Sequence, residues 1–140
     1  MNTRSVILVV DSDDDNREMC GAYLSSKGYV AVTAATAEEA MLLAPDADVI
    51  ITETRLRGTL NGLEFISALR RDSRTKALPV VTLTASVMVG DRERALDCGA
   101  DVFLCKPCVP ADLLSRVRRM VRIARRQRGE SLTRGASAIP

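Results

Sequence analysis

The sequence predicts an α/β domain in which a five-stranded parallel sheet is flanked by five helices. Three observations carry this. Short apolar runs alternate with segments of helical periodicity, as βα units require. The first run, Val6-Ile7-Leu8-Val9-Val10, is continuous and β-branched, which suits a strand covered on both faces. The length of 140 residues, with 46% apolar and 27% charged, suits one soluble domain with a real core. Aromatics make up only 3%, so that core rests on Val, Leu, Ile, Ala and Met.

In order, the first strand is followed by Asp11–Asp15, acids able to cap a helix running through Lys27, with Met19, Cys20, Tyr23 and Leu24 at helical spacing. Gly28 stops it. Strand two is Val30–Ala34. Thr36 with Glu39 forms a capping box for a short helix ending before Pro45. Strand three is Val49–Thr52. After a loop from Glu53 to Asn61, Asn61 and Glu64 cap a third helix through Arg71, with Leu63, Ile66 and Leu69 inward. Pro79–Leu83 is strand four, Asp91–Cys98 helix four, and Val102–Leu104 strand five. Pro110 opens helix five at a first-turn position, behind Val109, a weak capper. Its buried stripe is Leu113, Leu114, Val117, Met120, Val121 and Ala124. Residues 1–126 read as the domain. The polar, aperiodic stretch 127–140 reads as a flexible tail or linker stub.

Absences narrow the function. The chain has no histidine, which excludes a phosphohistidine donor, a Ser-His hydrolase and a His-ligated metal enzyme. Any phosphoryl chemistry must run on carboxylates. No segment has the length of a membrane span and no export signal follows Met1, so a cytoplasmic protein is expected. Four irregularly spaced cysteines do not make a disulfide framework.

In an open parallel sheet, ligands bind beyond the carboxyl ends of the strands. The residues there are Asp11, Ser12 and Asp13 after strand one, Glu53 after strand three, Thr84-Ala85 after strand four and Lys106-Pro107 after strand five. Carboxylates, a hydroxyl and an ammonium on one rim suit a divalent cation and a phosphoryl group.

This set, with Val9-Val10-Asp11, Cys98-Gly99-Ala100-Asp101 and Phe103 ahead of Lys106-Pro107, resembles the receiver domain of two-component response regulators, including the stand-alone chemotaxis-type regulator. The resemblance spans residues 5–125 and implies a doubly wound, flavodoxin-like sheet of strand order 2-1-3-4-5. It further implies that position 53 is the phosphoacceptor position and that Thr84 is the switch hydroxyl. Phe103 becomes the switch aromatic and Lys106 the phosphate-sensing ammonium, with Lys106-Pro107 cis. The cofactor implied is Mg²⁺, on Asp11 and Glu53.

Three departures stand against that pattern. The acceptor is Glu53 rather than Asp. The second acid of the first pair is Ser12, which removes an anionic cation ligand, so Mg²⁺ is expected to bind weakly even if Asp13 swings in. The loop after Glu53 has Arg57 where Pro is usual and one extra residue before Asn61-Gly62. A glutamate moves the carboxylate outward by about one C–C bond length. A misplacement of ~1 Å costs on the order of a hundredfold in an in-line reaction. The expectation is therefore a non-enzymatic module independent of phosphorylation, either held active-like or lacking a switch. The alternative is a Mg²⁺-dependent phosphoacceptor supplied by a histidine kinase. Flavin binding on the same fold finds no phosphate-cradling glycine or serine cluster after strand one.

Other features have plainer readings. Asp14 and Asp15 suit a solvated helix N-terminus. Cys105-Lys106-Pro107-Cys108 matches C-x-x-C without the context of a redox motif or a second pair for zinc. Arg116, Arg118, Arg119, Arg122, Arg125, Arg126 and Arg128 form a solvated helical face. Alternatively they contact a histidine kinase, an output domain or a twin copy through the face of helix four, strand five and helix five, where Asp91, Glu93 and Asp97 offer opposite charge. Nucleic-acid binding by this domain alone is not expected, because interleaved aromatics and a DNA-binding motif are missing.

Overall fold

The computed structural model describes residues 4–85 and 88–129. Five strands, β1 (Val6–Val10), β2 (Val30–Ala34), β3 (Val49–Thr52), β4 (Val80–Thr84) and β5 (Val102–Cys105), form one parallel sheet in the order β2-β1-β3-β4-β5. Between and after them lie α1 (Asp14–Ser26), α2 (Ala37–Leu43), α3 (Gly62–Arg71), α4 (Asp91–Cys98) and α5 (Pro110–Gln127). The predicted architecture and strand order are both present.

Side-chain alternation along each strand divides the core into two layers. Leu8, Val10, Ile50 and Val80 meet Ala37, Ala40, Phe65, Ile66, Leu69 and Ala95 on the side of α2, α3 and α4. Ile7, Val9, Val49, Ile51 and Val81 meet Leu24, Leu113, Val117, Met120 and Val121 on the side of α1 and α5. The expected stripe of α5 is buried along its whole length.

Some local expectations are met and others corrected. Helix α1 begins within the acidic run, at Asp14, and is capped from that run as expected, by the Asp13 carboxylate accepting from the Asn16 N–H; it ends at Ser26, one residue short of Lys27. Thr36 caps α2 through the Glu39 N–H, but the Glu39 carboxylate accepts from Ala35 rather than from Thr36, so that box is not reciprocal. The Asn61–Glu64 box closes in both directions. As expected, α2 ends before Pro45, at Leu43; a 3-10 turn, Ala44–Asp46, follows directly and carries the proline in its first turn, where a missing N–H costs nothing. Phe65 is fully buried on α3, whereas Leu63 is only half-buried. β4 and β5 each extend one residue further than expected, to Thr84 and Cys105. Val109 offers no side-chain cap to α5. That helix continues to Gln127, one residue past the expected boundary; the rest of the expected tail, from residue 130 on, lies outside the described residues.

Candidate functional site

The carboxyl ends of β1, β3 and β5 place Asp11, Glu53 and Lys106 around one depression, and Thr84, at the end of β4, lies covered beside Thr54 at its edge. Asp11 and Glu53 are each 8% exposed and Thr84 is fully covered. The Lys106 ammonium lies between the two acids, donating to Asp11 Oδ2 at 2.7 Å and to Glu53 Oε1 at 3.1 Å. The peptide bond Lys106-Pro107 is cis.

Every lone pair of Glu53 is engaged. Its Oε2 accepts from the N–H of Thr54 at 2.7 Å and of Arg55 at 3.3 Å, and its Oε1 from the N–H of Ala85 at 3.4 Å. Thr54 Oγ1 lies 2.9 Å from Thr84 Oγ1 and donates to Glu53 Oε2 at 3.3 Å. Burial alone would raise the Glu53 pKa, but the Thr84 hydroxyl and the hydrogen bond and charge of Lys106 outweigh it and hold the carboxyl below its ordinary value. Lys106 shows the mirror image: burial opposes its charge, and the bonds and charges of Asp11 and Glu53 raise its pKa nonetheless.

Two of the expected pocket residues are elsewhere. The Ser12 hydroxyl donates to the Ala35 carbonyl at 2.8 Å and accepts from the Arg57 N–H at 2.8 Å, tying the loop after β2 to the loop after β3. Asp13 is committed to capping α1, and only its N–H reaches Asp11 Oδ1, at 2.9 Å. Phe103 is partly buried against the α2–α4 core layer, in register with Thr82 and on the sheet face that Thr84 shares. Thr54 was missed at the sequence level; its place directly after Glu53 on the rim was the available signal.

The loop carrying Glu53 is fixed from two sides. The Glu38 carboxylate of α2 accepts from the N–H of Thr59 and of Leu60 and from the Thr59 hydroxyl. On the other side, the Gly62 N–H donates to the Thr54 carbonyl at 2.9 Å. A Cβ at position 62 would collide with the Glu53 carbonyl and approach the Thr54 Cα to 2.6 Å, so only glycine fits there.

For a resident dication, the donors available are the Asp11 and Glu53 carboxylates, already bridged by an ammonium. No group of three His, Cys, Asp or Glu side chains that could hold a metal exists among the described residues. Mg²⁺ is commonly held by one or two carboxylates completed by water, and at this rim it would compete for both carboxylates with the Lys106 ammonium.

The family model of the response regulator receiver domain matches residues 7–118. The chain belongs to the response regulator receiver domain family. It is 37% identical over 118 residues to the phosphate regulon transcriptional regulatory protein PhoB of Escherichia coli, covering 83% of this chain and 51% of that protein. The receiver domain thus spans about half the length of the curated relatives it matches. A putative response regulator from Chloroflexus aurantiacus superposes with a TM-score of 0.80 at 30% identity, covering 86% of this chain and 99% of that one. The receiver domain of sensor histidine kinase PA1611 from Pseudomonas aeruginosa, solved with a magnesium ion in its active-site cleft, gives 0.77 at 29% identity over 85% and 98% of the two chains. No helix among the described residues is long and apolar enough to cross a membrane.

Proposed function

We propose that this receiver domain acts in two-component signalling by protein–protein contact, in a state independent of phosphorylation, and is not an enzyme. The observation that carries the reading is the double engagement of Lys106 by Asp11 and Glu53. The acceptor-position carboxylate already makes the charged contact to Lys106 that an incoming phosphoryl group would otherwise seek. Its extra methylene displaces the attacking oxygen by about one bond length, a large cost for in-line transfer. Ser12, in place of the usual second acid, is used as a strut between two loops, so the cation site lacks a ligand that a reorientation of Asp13 would supply only by uncapping α1.

Of the two forms of such a state, the active-like one is favoured by Thr84. Its buried hydroxyl contributes to holding Glu53 charged, as a switch hydroxyl turned toward an anion does. Glu53 supplies about one negative charge where a phosphate supplies roughly two, so the imitation is partial. The partners that go with this reading are a histidine kinase, an output domain or a twin copy, met through α4, β5 and α5, in the cytoplasm.

The test is incubation of the chain with a small-molecule phosphodonor and Mg²⁺, followed by intact mass. No adduct is expected on the native chain. The combined Glu53→Asp and Ser12→Asp variant is expected to gain one phosphoryl group. A stoichiometric adduct on native Glu53 overturns the reading in favour of a working phosphoacceptor.

A further inference from the structure

At the end of the sheet opposite the acidic rim, beneath β4 and β5, the molecule has a second concavity of about 590 Å³ between α3, the chain leading into β4, and α5. That volume is in the range of small-molecule sites. Its charged lining is Arg70, Lys76, Asp101, Arg116 and Arg119.

The roles of these five groups divide sharply. Arg70 is a strut. Its guanidinium donates to the carbonyls of Gly99 at 3.0 and 2.6 Å, Lys76 at 2.9 Å and Leu78 at 2.6 Å, and to Asp101 Oδ2 at 3.1 Å. Asp101 is consumed as well, since Oδ2 also accepts from the Val80 N–H at 2.8 Å. The pair neutralises itself and builds a fixed wall. Lys76, Arg116 and Arg119 are left, and none of their three charged groups makes an ion pair or a side-chain hydrogen bond among the described residues.

All three side chains are exposed, so water and salt screen their mutual repulsion without removing it. Arg116 and Arg119 are three apart on one helix, where like charges repel. The helix and its C-terminal turn hold seven arginines against one acid, Asp112, which stands in the first turn four residues before Arg116 and makes no ion pair with it. Of these arginines, Arg125 bonds Ser5 and Arg128 pairs with Asp48, but the two facing the concavity have no such outlet. A multivalent anion between α5 and Lys76 relieves the repulsion and uses the guanidinium forks in the way they bind phosphate best.

We propose that this concavity is a binding site for a free oligophosphate, a chain of two or three phosphate groups. Three cations facing one polar hollow match the charge of such a ligand. The lining holds no aromatic ring on which a nucleobase would stack, so the phosphate chain rather than a nucleoside is what the site recognises.

The experiment is isothermal titration of the full chain with inorganic tripolyphosphate at constant ionic strength, with ATP and a short DNA duplex as parallel ligands. Saturable one-to-one binding is expected. It should weaken by about tenfold or more in Arg119→Ser and in Lys76→Ser, as loss of a charge-assisted contact implies. Arg118→Ser, an exposed arginine of the same helix outside the hollow, should leave it unchanged. Absence of saturable binding overturns the proposal. An equal loss in Arg118→Ser does so too, by making the attraction a diffuse property of the helix. Tighter binding of ATP or of the duplex assigns the hollow to a nucleoside or a nucleic acid and overturns it likewise. A concentration-dependent dimer abolished by Arg116→Ser, together with no binding heat, hands the surface to a second copy.

Discussion

The two ends of the sheet use the same kinds of charged residue for different purposes. At the rim, Lys106 bonds two carboxylates, so ionised side chains satisfy one another and face a shared depression. At the base, Arg70 bonds three backbone carbonyls, Asp101 accepts from the Val80 N–H and Asp48 from the Val6 N–H. Charges paired with charges can be re-paired by a ligand or a proton. Charges paired with backbone hold segments of chain in place, and removing them leaves buried amides without partners. The contrast is one of proportion, since Glu53 also accepts from three backbone N–H groups and Arg70 also pairs with Asp101. The central cation nonetheless bonds side chains at the rim and mainly main chain at the base, so the rim can change its chemistry at less cost to the fold.

That comparison can be broken or sharpened experimentally. The largest effect is expected where the rim itself depends on backbone: Gly62→Ala should cost about 3 kcal/mol in urea unfolding, because the added carbon meets main chain that has nowhere to move. Next comes the base. Arg70→Ala should cost roughly 2–3 kcal/mol, and Arg70→Lys should recover only part of it, since an ammonium cannot span the carbonyls of Gly99, Lys76 and Leu78 together. Lys106→Met should cost less, about 1–2 kcal/mol, because the pair retains some solvent and one of the two facing carboxylates can take up a proton once the ammonium is gone. It should also make stability rise with added Mg²⁺, which the native chain should show weakly or not at all. If Lys106→Met proves more damaging than Arg70→Ala, the distinction between rim and base fails.

The smallest effect is a pH dependence. Glu53 is held below its ordinary value of 4.5, so its contribution to stability is complete above that pH and is lost as pH falls through the folded value. Lys106 is held above its ordinary value of 10.5, so its share is complete below that pH and is lost as pH rises through the folded value. The stability gap between the native chain and Glu53→Gln should be flat between these limits and shrink on the acid side. A gap that widens as pH falls below 4.5 contradicts the assignment of Lys106 and Thr84 as the groups stabilising the charged form.

Much of this molecule was legible beforehand, for reasons that differ by element. The continuous run Val6–Val10 and the i, i+3, i+4 stripe of α5 announce themselves because burial on two faces, or on one stripe, is written directly in residue order. Asp91–Cys98 was bounded correctly because Gly99 supplies the left-handed turn at its end, at φ 117°. Phe65 is less legible because Leu63, Ile66 and Leu69 already form a row spaced by three, whereas the buried face is Gly62, Phe65, Ile66 and Leu69, the i, i+3, i+4, i+7 stripe that shares two of those residues. Thr36 and Glu39 have the spacing of a capping box, yet the carboxylate chose the neighbouring N–H, a choice made by loop geometry rather than by spacing.

By itself, then, the sequence determined the layered α/β architecture, the family, and the gathering of Asp11, Glu53, Thr84 and Lys106 at one rim, because strand order and chain polarity dictate which residues follow each strand. Tertiary structure alone decided what each of them touches. Ser12 and Asp13 follow β1 as directly as Asp11 does, yet one ties two loops together and the other caps a helix. Hydrogen-bond partners separated by more than twenty residues, such as Ser12 with Ala35 and Arg57, are chosen by the packing of loops in space, and no local pattern along the chain encodes that choice.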